Sequence, residues 1–296
     1  MQEPYIVHKT LIEQQAWLNW VDNLTSATHV ASTTEVYEQL NHAVARRTNK
    51  NKQGVLFSGG IDSAVIAVLL KELKVDVQLF VVAVNGFPTA ESEDLKTARQ
   101  VSNILGLPLE ECIVSLEEFE DALISTIKIL PESCHDAVNV GIACVELIGI
   151  RKMIEQGIVD VWSGLGSEEI FAGYKRHRDA KDISNACVDG LKMMWHQDIL
   201  REFAIESALK CHMNTPFLDE EVVRTALSVS PEMKVKDGHV KYVLRAAFEH
   251  KLGTAAWIPK RAAQYGSRTD LAITHLARKS GFKSKTDYIR HISNNI

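Results

Sequence analysis

The chain lacks an apolar run approaching the ~18 residues a membrane helix needs, so no membrane-spanning helix is expected. Its first residues, Met1-Gln2-Glu3-Pro4, are polar and acidic and carry no hydrophobic signal segment. Cysteine is scarce and scattered: five residues, at 112, 134, 144, 187 and 211, without a CxxC pair. That argues against a disulfide framework and against paired zinc-ligand spacing, and it fits reduced core thiols in a cytoplasmic protein. The eleven histidines show no HxxxH pairing. There is no excess of positive charge, with 33 Lys and Arg against 38 Asp and Glu, so a general nucleic-acid binder is disfavoured. No internal repeat or low-complexity stretch is found. What is present is ordinary globular material, 46% hydrophobic and 24% charged over 296 residues, enough for a sizeable core.

Helical spacing of Val36, Tyr37, Leu40, Ala43 and Val44 predicts a helix over 33–47. Short apolar runs predict strands at 55–57, 78–84, 112–114 and 158–162, alternating with helices near 64–73, 92–105, 117–130 and 138–155. This alternation implies an α/β fold with a doubly wound parallel sheet. After Glu168 the strand signal disappears and the remainder reads as mainly helical. The expected organisation is an N-terminal helical segment (1–50), an α/β core (51–175) and a helical C-terminal part (176–296) packed on it.

Phe57-Ser58-Gly59-Gly60-Ile61-Asp62-Ser63 lies between a predicted buried strand and a helix. Ligands of open α/β sheets bind at that end of the strands. Gly59 and Gly60 permit a tight turn and close approach of backbone to an anion. Ser58, Ser63 and the first N–H groups of the helix offer donors in the favourable field of its dipole. Asp62 suits a Mg²⁺ ion bridging phosphates. The P-loop lysine of GxxxxGK[ST] is missing. The motif resembles that of the ATP pyrophosphatases, which cleave ATP between its α- and β-phosphates while the substrate attacks the α-phosphorus.

A second Gly-rich turn, Ser163-Gly164-Leu165-Gly166-Ser167-Glu168-Glu169, follows the fourth predicted strand and continues to Phe171-Ala172-Gly173-Tyr174. It is similar to the asparagine synthetase signature, roughly SGxGxDExFxGY. Thr215-Pro216-Phe217-Leu218-Asp219 resembles that family's PFLD segment. Lys241-Tyr242-Val243-Leu244-Arg245 resembles its KxxLR helix, and 259–268 its later basic loop. The matches run in the family's order over roughly residues 33–270.

The resemblance implies a fold of the adenine nucleotide α-hydrolase type, with ATP and Mg²⁺ as cofactors. Pyrophosphate and ATP contacts fall on Ser58, Gly59, Gly60, Asp62, Ser63, Ser163 and Gly164. Val84 and Asn85 end the second strand, where the family binds adenosine through backbone. Asp62 and Glu168 are the implied metal ligands, and Lys241, with Glu168, the catalytic candidates, Lys241 stabilising charge on the transferring phosphate. The implied reaction adenylates a carboxylate, by default aspartate, and then forms an amide with ammonia.

Some positions depart from the family pattern. Leu165 stands where well-studied members carry a glutamate, and an apolar residue cannot move protons. Glu168 replaces an aspartate, and Asn214 an arginine of the bacterial enzymes. Short relatives called asparagine synthetase domain-containing proteins share the apolar residue. Only about 50 residues precede the first loop, too few for the cysteine-led glutaminase domain of the glutamine-dependent enzymes. Nitrogen is therefore expected from free ammonia or a separate glutaminase subunit.

Partners are expected to be small molecules, with a homodimer open and no membrane. Two other readings remain: an ATP-binding homologue that has lost catalysis, and an enzyme modifying another substrate such as tRNA. The basic run Lys175-Arg176-His177-Arg178 reads as a solvated face or a phosphate or partner contact. The tail 278–290 reads as an amphipathic helix or a partner or tRNA contact.

Overall fold

The computed structural model describes residues 3–25, 30–87, 91–259 and 263–296. Five parallel strands form the main sheet: β1 (Gln53–Leu56), β2 (Val77–Val84), β3 (Leu109–Val114), β4 (Asp160–Trp162) and β5 (His212–Asn214). Their spatial order is β3-β2-β1-β4-β5. β1 therefore pairs with β2 on one side, Leu56 opposite Phe80, and with β4 on the other, Val55 opposite Trp162.

The strands alternate their side chains between two covered faces. In β2, Leu79, Val81 and Ala83 join one core, and Phe80, Val82 and Val84 the other. The first face is covered by α1 (Thr33–Arg47), α2 (Ile61–Glu72) and α3 (Glu93–Leu105). The second is covered by α4 (Leu116–Ile129) and α5 (Ala137–Glu155). Farther along the chain come α6 (Leu200–Leu209), α7 (Tyr242–Leu252), which packs on α1 and α2, and α8 (Thr269–Lys279), which packs on α5.

The helix boundaries follow local chemistry. Ser32 and Glu35 form a capping box at the start of α1, and Ser115 and Glu118 do the same for α4. Ser92 caps α3, which ends at Gly106 in the left-handed conformation.

Two strands begin earlier than their apolar runs suggest. β1 starts at Gln53, whose buried Oε1 accepts from Trp162 Nε1 at 2.8 Å. β3 takes in Leu109–Glu111, which pair with Leu79–Val81 at the sheet edge. The segment after Glu168 is mainly helical, as expected, yet it contributes β5, which adds to β4 with Trp162 opposite Asn214. With Met213 its only apolar residue, β5 has no strand signal of its own.

The N-terminal segment is tied down by charge. Arg47, buried at the end of α1, donates to Glu3 from Nε (2.8 Å) and Nη2 (3.1 Å) and to Asp219 from Nη1 (2.7 Å). Glu3 also accepts from Thr215 Oγ1 at 2.7 Å. Asp219 caps the helix Glu220–Ser228. Burial alone would raise its carboxyl, but Arg47 and Arg46 outweigh burial and hold it below the usual range. The PFLD aspartate is thus a structural clamp. All five cysteines are free thiols, four of them buried, and burial pushes Cys112 and Cys144 up to about 12.

Arg47→Ala leaves the buried Glu3 carboxylate without its cation and Asp219 with Arg46 alone, and is expected to cost about 3–5 kcal/mol of unfolding free energy. Arg46→Ala, removing a side chain 39% exposed, should cost less than about 1 kcal/mol. Urea midpoints of the two variants check the contrast.

Candidate functional site

The strand order reverses between β1 and β4, and the crevice beyond their carboxyl ends is where this fold class binds ligands. The first motif leaves β1 and enters α2. The second leaves β4 and enters the short helix Ser167–Ile170. The topology thus brings the two Gly-rich turns side by side, although about a hundred residues separate them in sequence.

Gly60 caps α2, so the unpaired N–H groups of the first helical turn point out of this end of the sheet. Gly59 has φ +73°, and a Cβ there would lie 2.7 Å from the Thr97 carbonyl of α3. Close packing of the loop on α3 therefore demands glycine. Ser58 Oγ accepts from Gly60 N at 3.4 Å, and Ser63 Oγ donates to Gly60 O at 3.2 Å. A Cβ on Gly164 would come within 2.9 Å of Asp62 Cβ, so the second loop approaches the first by lacking a side chain.

The third participant arrives from the C-terminal part. A two-stranded hairpin, Val235–Lys236 with His239–Val240, turns at Asp237-Gly238, both at positive φ as a tight hairpin turn needs. Lys241 follows in the left-handed conformation, φ +55°, as the cap of α7. Its buried Nζ lies 2.7 Å from both Asp62 oxygens and 2.8 Å from Glu168 Oε1. Ser167 Oγ donates to Asp62 Oδ1. Burial alone would lower the Lys241 ammonium, but Asp62 and Glu168 outweigh burial and raise it. Gly173 makes room for this group: a Cβ there would overlap the Glu168 carboxylate and Lys241 Cε.

A cavity of about 270 Å³ opens at this point. Ser58, Asp62, Ser63, Ser163, Gly164 and Glu168 are in its lining, so these expected site residues are brought together, whereas Gly59, Gly60 and Lys241 are not part of the lining. Val84 and Asn85 are not among them. They line a neighbouring cavity of about 280 Å³ at the end of β2, with Ser92, Ile113 and Arg268. Lys260, Arg261 and Ala262, which open the basic loop, lie outside the described residues.

Leu165 forms part of the main cavity's wall and packs on the core beneath it. Asn214 is fully buried, and its Nδ2 donates to Val161 O at 3.3 Å across the sheet. It is not part of the cavity lining and holds β5 to β4. The basic run divides by role. Arg176 stacks over the Tyr174 ring at 4.0 Å, and Arg178 pairs with Asp179 at 3.0 Å. His177 is buried with neither ring nitrogen hydrogen-bonded. The tail forms the helix Lys285–Asn294, which buries Tyr288, Ile289 and Ile292.

The sequence reading overlooked several residues of the cavity. Glu169 is buried, and its carboxyl is pushed up to about 8 by burial, then by Asp198 and Glu168. Glu146, Asp198, Arg201 and Glu202 also line it. Glu146 did carry a signal, as the one carboxylate within the apolar stretch of α5. Asp198 through Glu202 had none, because alternating charges look like a solvated helix face.

Burial, then the neighbouring Arg176, lowers the His177 imidazole to about 4. It is thus neutral when folded, whereas the unfolded chain binds a proton near pH 6.5. The stability associated with His177 is present in full above pH ~6.5 and lost as pH falls towards about 4. His177→Gln should flatten that part of the stability–pH curve, measured by urea midpoints between neutral and acidic pH.

The asparagine synthase family model matches residues 35–187 and 178–280. A Methanocaldococcus jannaschii protein named for glutamine-hydrolyzing asparagine synthetase is 28% identical over 284 residues, 83% of this chain and 51% of its own length. The glutamine-hydrolyzing asparagine synthetase of Cricetulus griseus is 32% identical over 84% of this chain and 45% of its own. An NH3-dependent NAD synthetase structure from Campylobacter jejuni covers 94% of this chain and 93% of its own at 13% identity, with a TM-score of 0.37. The chain spans about half the length of the curated relatives it matches. With the family model matching most of the chain, two loops at the sheet's switch point and the KxxLR lysine between them, the chain belongs to the asparagine synthase family.

Proposed function

We propose that this chain is an ATP-dependent amide-forming ligase. A carboxylate oxygen attacks the α-phosphorus of ATP, the bond to the β-phosphate oxygen breaks, and pyrophosphate leaves. Ammonia then adds its lone pair to the acyl carbon of the acyl adenylate, loses a proton, and AMP departs. Adenylation turns a poor leaving group into a good one.

The observation that carries this reading is the meeting of Asp62, Glu168 and Lys241 within 2.7–2.8 Å. The donor set suits Mg²⁺, a hard cation that prefers carboxylate and phosphate oxygens. Among the described residues no group of three or more His, Cys, Asp or Glu forms a complete metal cage. Asp62 and Glu168 would hold Mg²⁺ with phosphate oxygens and water completing its shell. When bound, the ion neutralises phosphate charge.

The protein's own groups have separable tasks in this reading. Backbone N–H groups at the start of α2, with Ser58 and Ser63, hold the leaving pyrophosphate. Lys241 Nζ places a fixed charge where negative charge builds on the transferring phosphate. Burial keeps water from competing for it. Val84 and Asn85 flank the neighbouring cavity, which suits adenosine held by backbone. The acceptor carboxylate enters the main cavity past Leu165. Aspartate is the first substrate to test.

Leu165 supports a second reading, a homologue that binds ATP without chemistry, since the cavity wall is apolar where the family pattern has a carboxylate. The two readings separate in an ATP–pyrophosphate exchange assay across a panel of carboxylic acids. Exchange with any acid supports the ligase; ATP binding without exchange supports the second reading.

Under the ligase reading, Asp62→Ala should abolish exchange. Lys241→Ala should slow single-turnover AMP formation by about 10²–10³ with a smaller change in ATP affinity. Lys241→Arg should recover little, because a planar fork does not fit beside Gly173 where a compact ammonium does. A loss confined to ATP affinity would make Lys241 a ground-state binding residue only.

A further inference from the structure

We propose that Lys234 is a positioning residue of the site: from the other end of the hairpin that delivers Lys241, it grips the short helix that carries Glu168. What the grip serves rests on the ligase reading; the grip itself does not.

Lys234 ends the helical turn Pro231–Lys234 and leads into the hairpin that Lys241 leaves. Val235 pairs with Val240, so the two lysines flank the hairpin's base. Both ammonium groups reach the helix Ser167–Ile170. Lys241 Nζ meets the Glu168 carboxylate of its first turn at 2.8 Å, and Lys234 Nζ donates to its last carbonyl, Ile170 O, at 3.0 Å.

That carbonyl needs a partner, because a helix leaves its final C=O groups without intrahelical donors. Here the chain turns off through Ala172, left-handed at φ +57°, and Gly173 N returns to Glu168 O at 2.8 Å. Phe171 N donates to Ser167 O at 3.2 Å. Ile170 O is left over in the core, where Ile170, Phe171 and Ala172 are fully buried. A buried carbonyl without a donor destabilises the turn that ends this helix, and Lys234 supplies the donor.

A lysine is a costly choice for that task alone. Lys234 is itself fully buried, and among the described residues no carboxylate pairs with it. Its other polar neighbour is the Cys187 thiol, on the helix Ile183–Met194, which burial pushes up and so keeps uncharged. Burial lowers the Lys234 ammonium, the response of a cation without a counter-charge. An apolar side chain would fill the same space without desolvating a charge. What it would lose is the directional hold. With Lys234 on the end of the helix and Lys241 on its start, the hairpin fixes Glu168 against Asp62. Misplacing such a constellation by about 1 Å can slow a reaction about 10²-fold.

The test is Lys234→Met in the full chain, read by urea midpoint, by amide deuterium exchange and by ATP–pyrophosphate exchange. The grip predicts a midpoint close to that of the native chain. It predicts amide exchange at least about tenfold faster in peptides spanning 167–174 and 235–245, with α5 unchanged. It also predicts a fall of about tenfold or more in kcat for ATP–pyrophosphate exchange, with the KM for ATP changed less than about threefold. Lys234→Leu gives the same readouts should Lys234→Met misfold.

Unchanged amide exchange at 167–174 overturns the grip. A lowered midpoint with faster exchange throughout the chain, or misfolding of both variants, makes Lys234 a core residue only and also overturns it. A loosened helix with undiminished kcat overturns the positioning role. A native chain that shows no ATP–pyrophosphate exchange fails the ligase reading by itself, and the deuterium readout then decides the grip.

Discussion

One buried ammonium, Lys241 Nζ, is shared by Asp62 and Glu168, and the arrangement of the site depends on it. Asp62 comes from the turn after β1, Glu168 from the turn after β4, and Lys241 from the cap of α7. Without the cation, two carboxylates would crowd one poorly solvated corner and repel. With it, the loops are drawn together, and glycine at 164 and 173 is the geometric consequence. The cost is local. Lys241 adopts a left-handed backbone, which for a residue with a Cβ is roughly 1–2 kcal/mol above the right-handed alternative.

The sheet order decides why these three residues can meet. With β1 central and β2 and β4 on its two sides, the chain winds one way through β2 and β3 and the other way through β4 and β5. That opens a crevice at the one place where no crossover helix covers the strand ends. β5 extends the sheet beyond β4 and anchors the PFLD segment, whose Asp219 reaches back to Arg47. The same segment that closes the sheet therefore fixes α1 and the N-terminal residues against it.

Much of this architecture was legible because the local signals agreed with the global fold. Apolar runs bounded by Gly and polar residues gave four strands, and apolar spacing gave helices near 33 and 117 whose starts lie within a residue of the structure's capped ones. The phosphate-loop motif and the Gly-rich second turn fall on the two loops that leave β1 and β4 side by side, since Gly-rich strand-to-helix turns carry a physical requirement in their letters. The rest was hidden for identifiable reasons. β5 is three residues long with one apolar side chain. Asn214 looked like a lost binding residue and is a sheet hydrogen-bond donor. His177 looked like part of a basic face and is buried and neutral. Arg201 and its acids look like helix-surface charges in sequence. Only the packing of α5 against α6 turns that face inward.

The molecule's two buried charge groups show how stability and function divide. Around Arg47, carboxylates and guanidinium meet at 2.7–3.1 Å, and Thr215 takes up a further acceptor position of Glu3. This network is satisfied and holds segments together. Around Arg201, one oxygen each of Glu146 and Glu202 has no donor at hydrogen-bond distance, Glu146 is ion-paired with Nε at 3.5 Å, and the two carboxyls lie against each other, which with burial raises Glu146. Burying unpaired acceptors costs about 1–3 kcal/mol each, and a replacement by apolar residues of similar size would avoid that cost. The same carboxylates line the cavity onto which the phosphate loop opens, so this charge group belongs to the site, whereas the Arg47 group belongs to the scaffold.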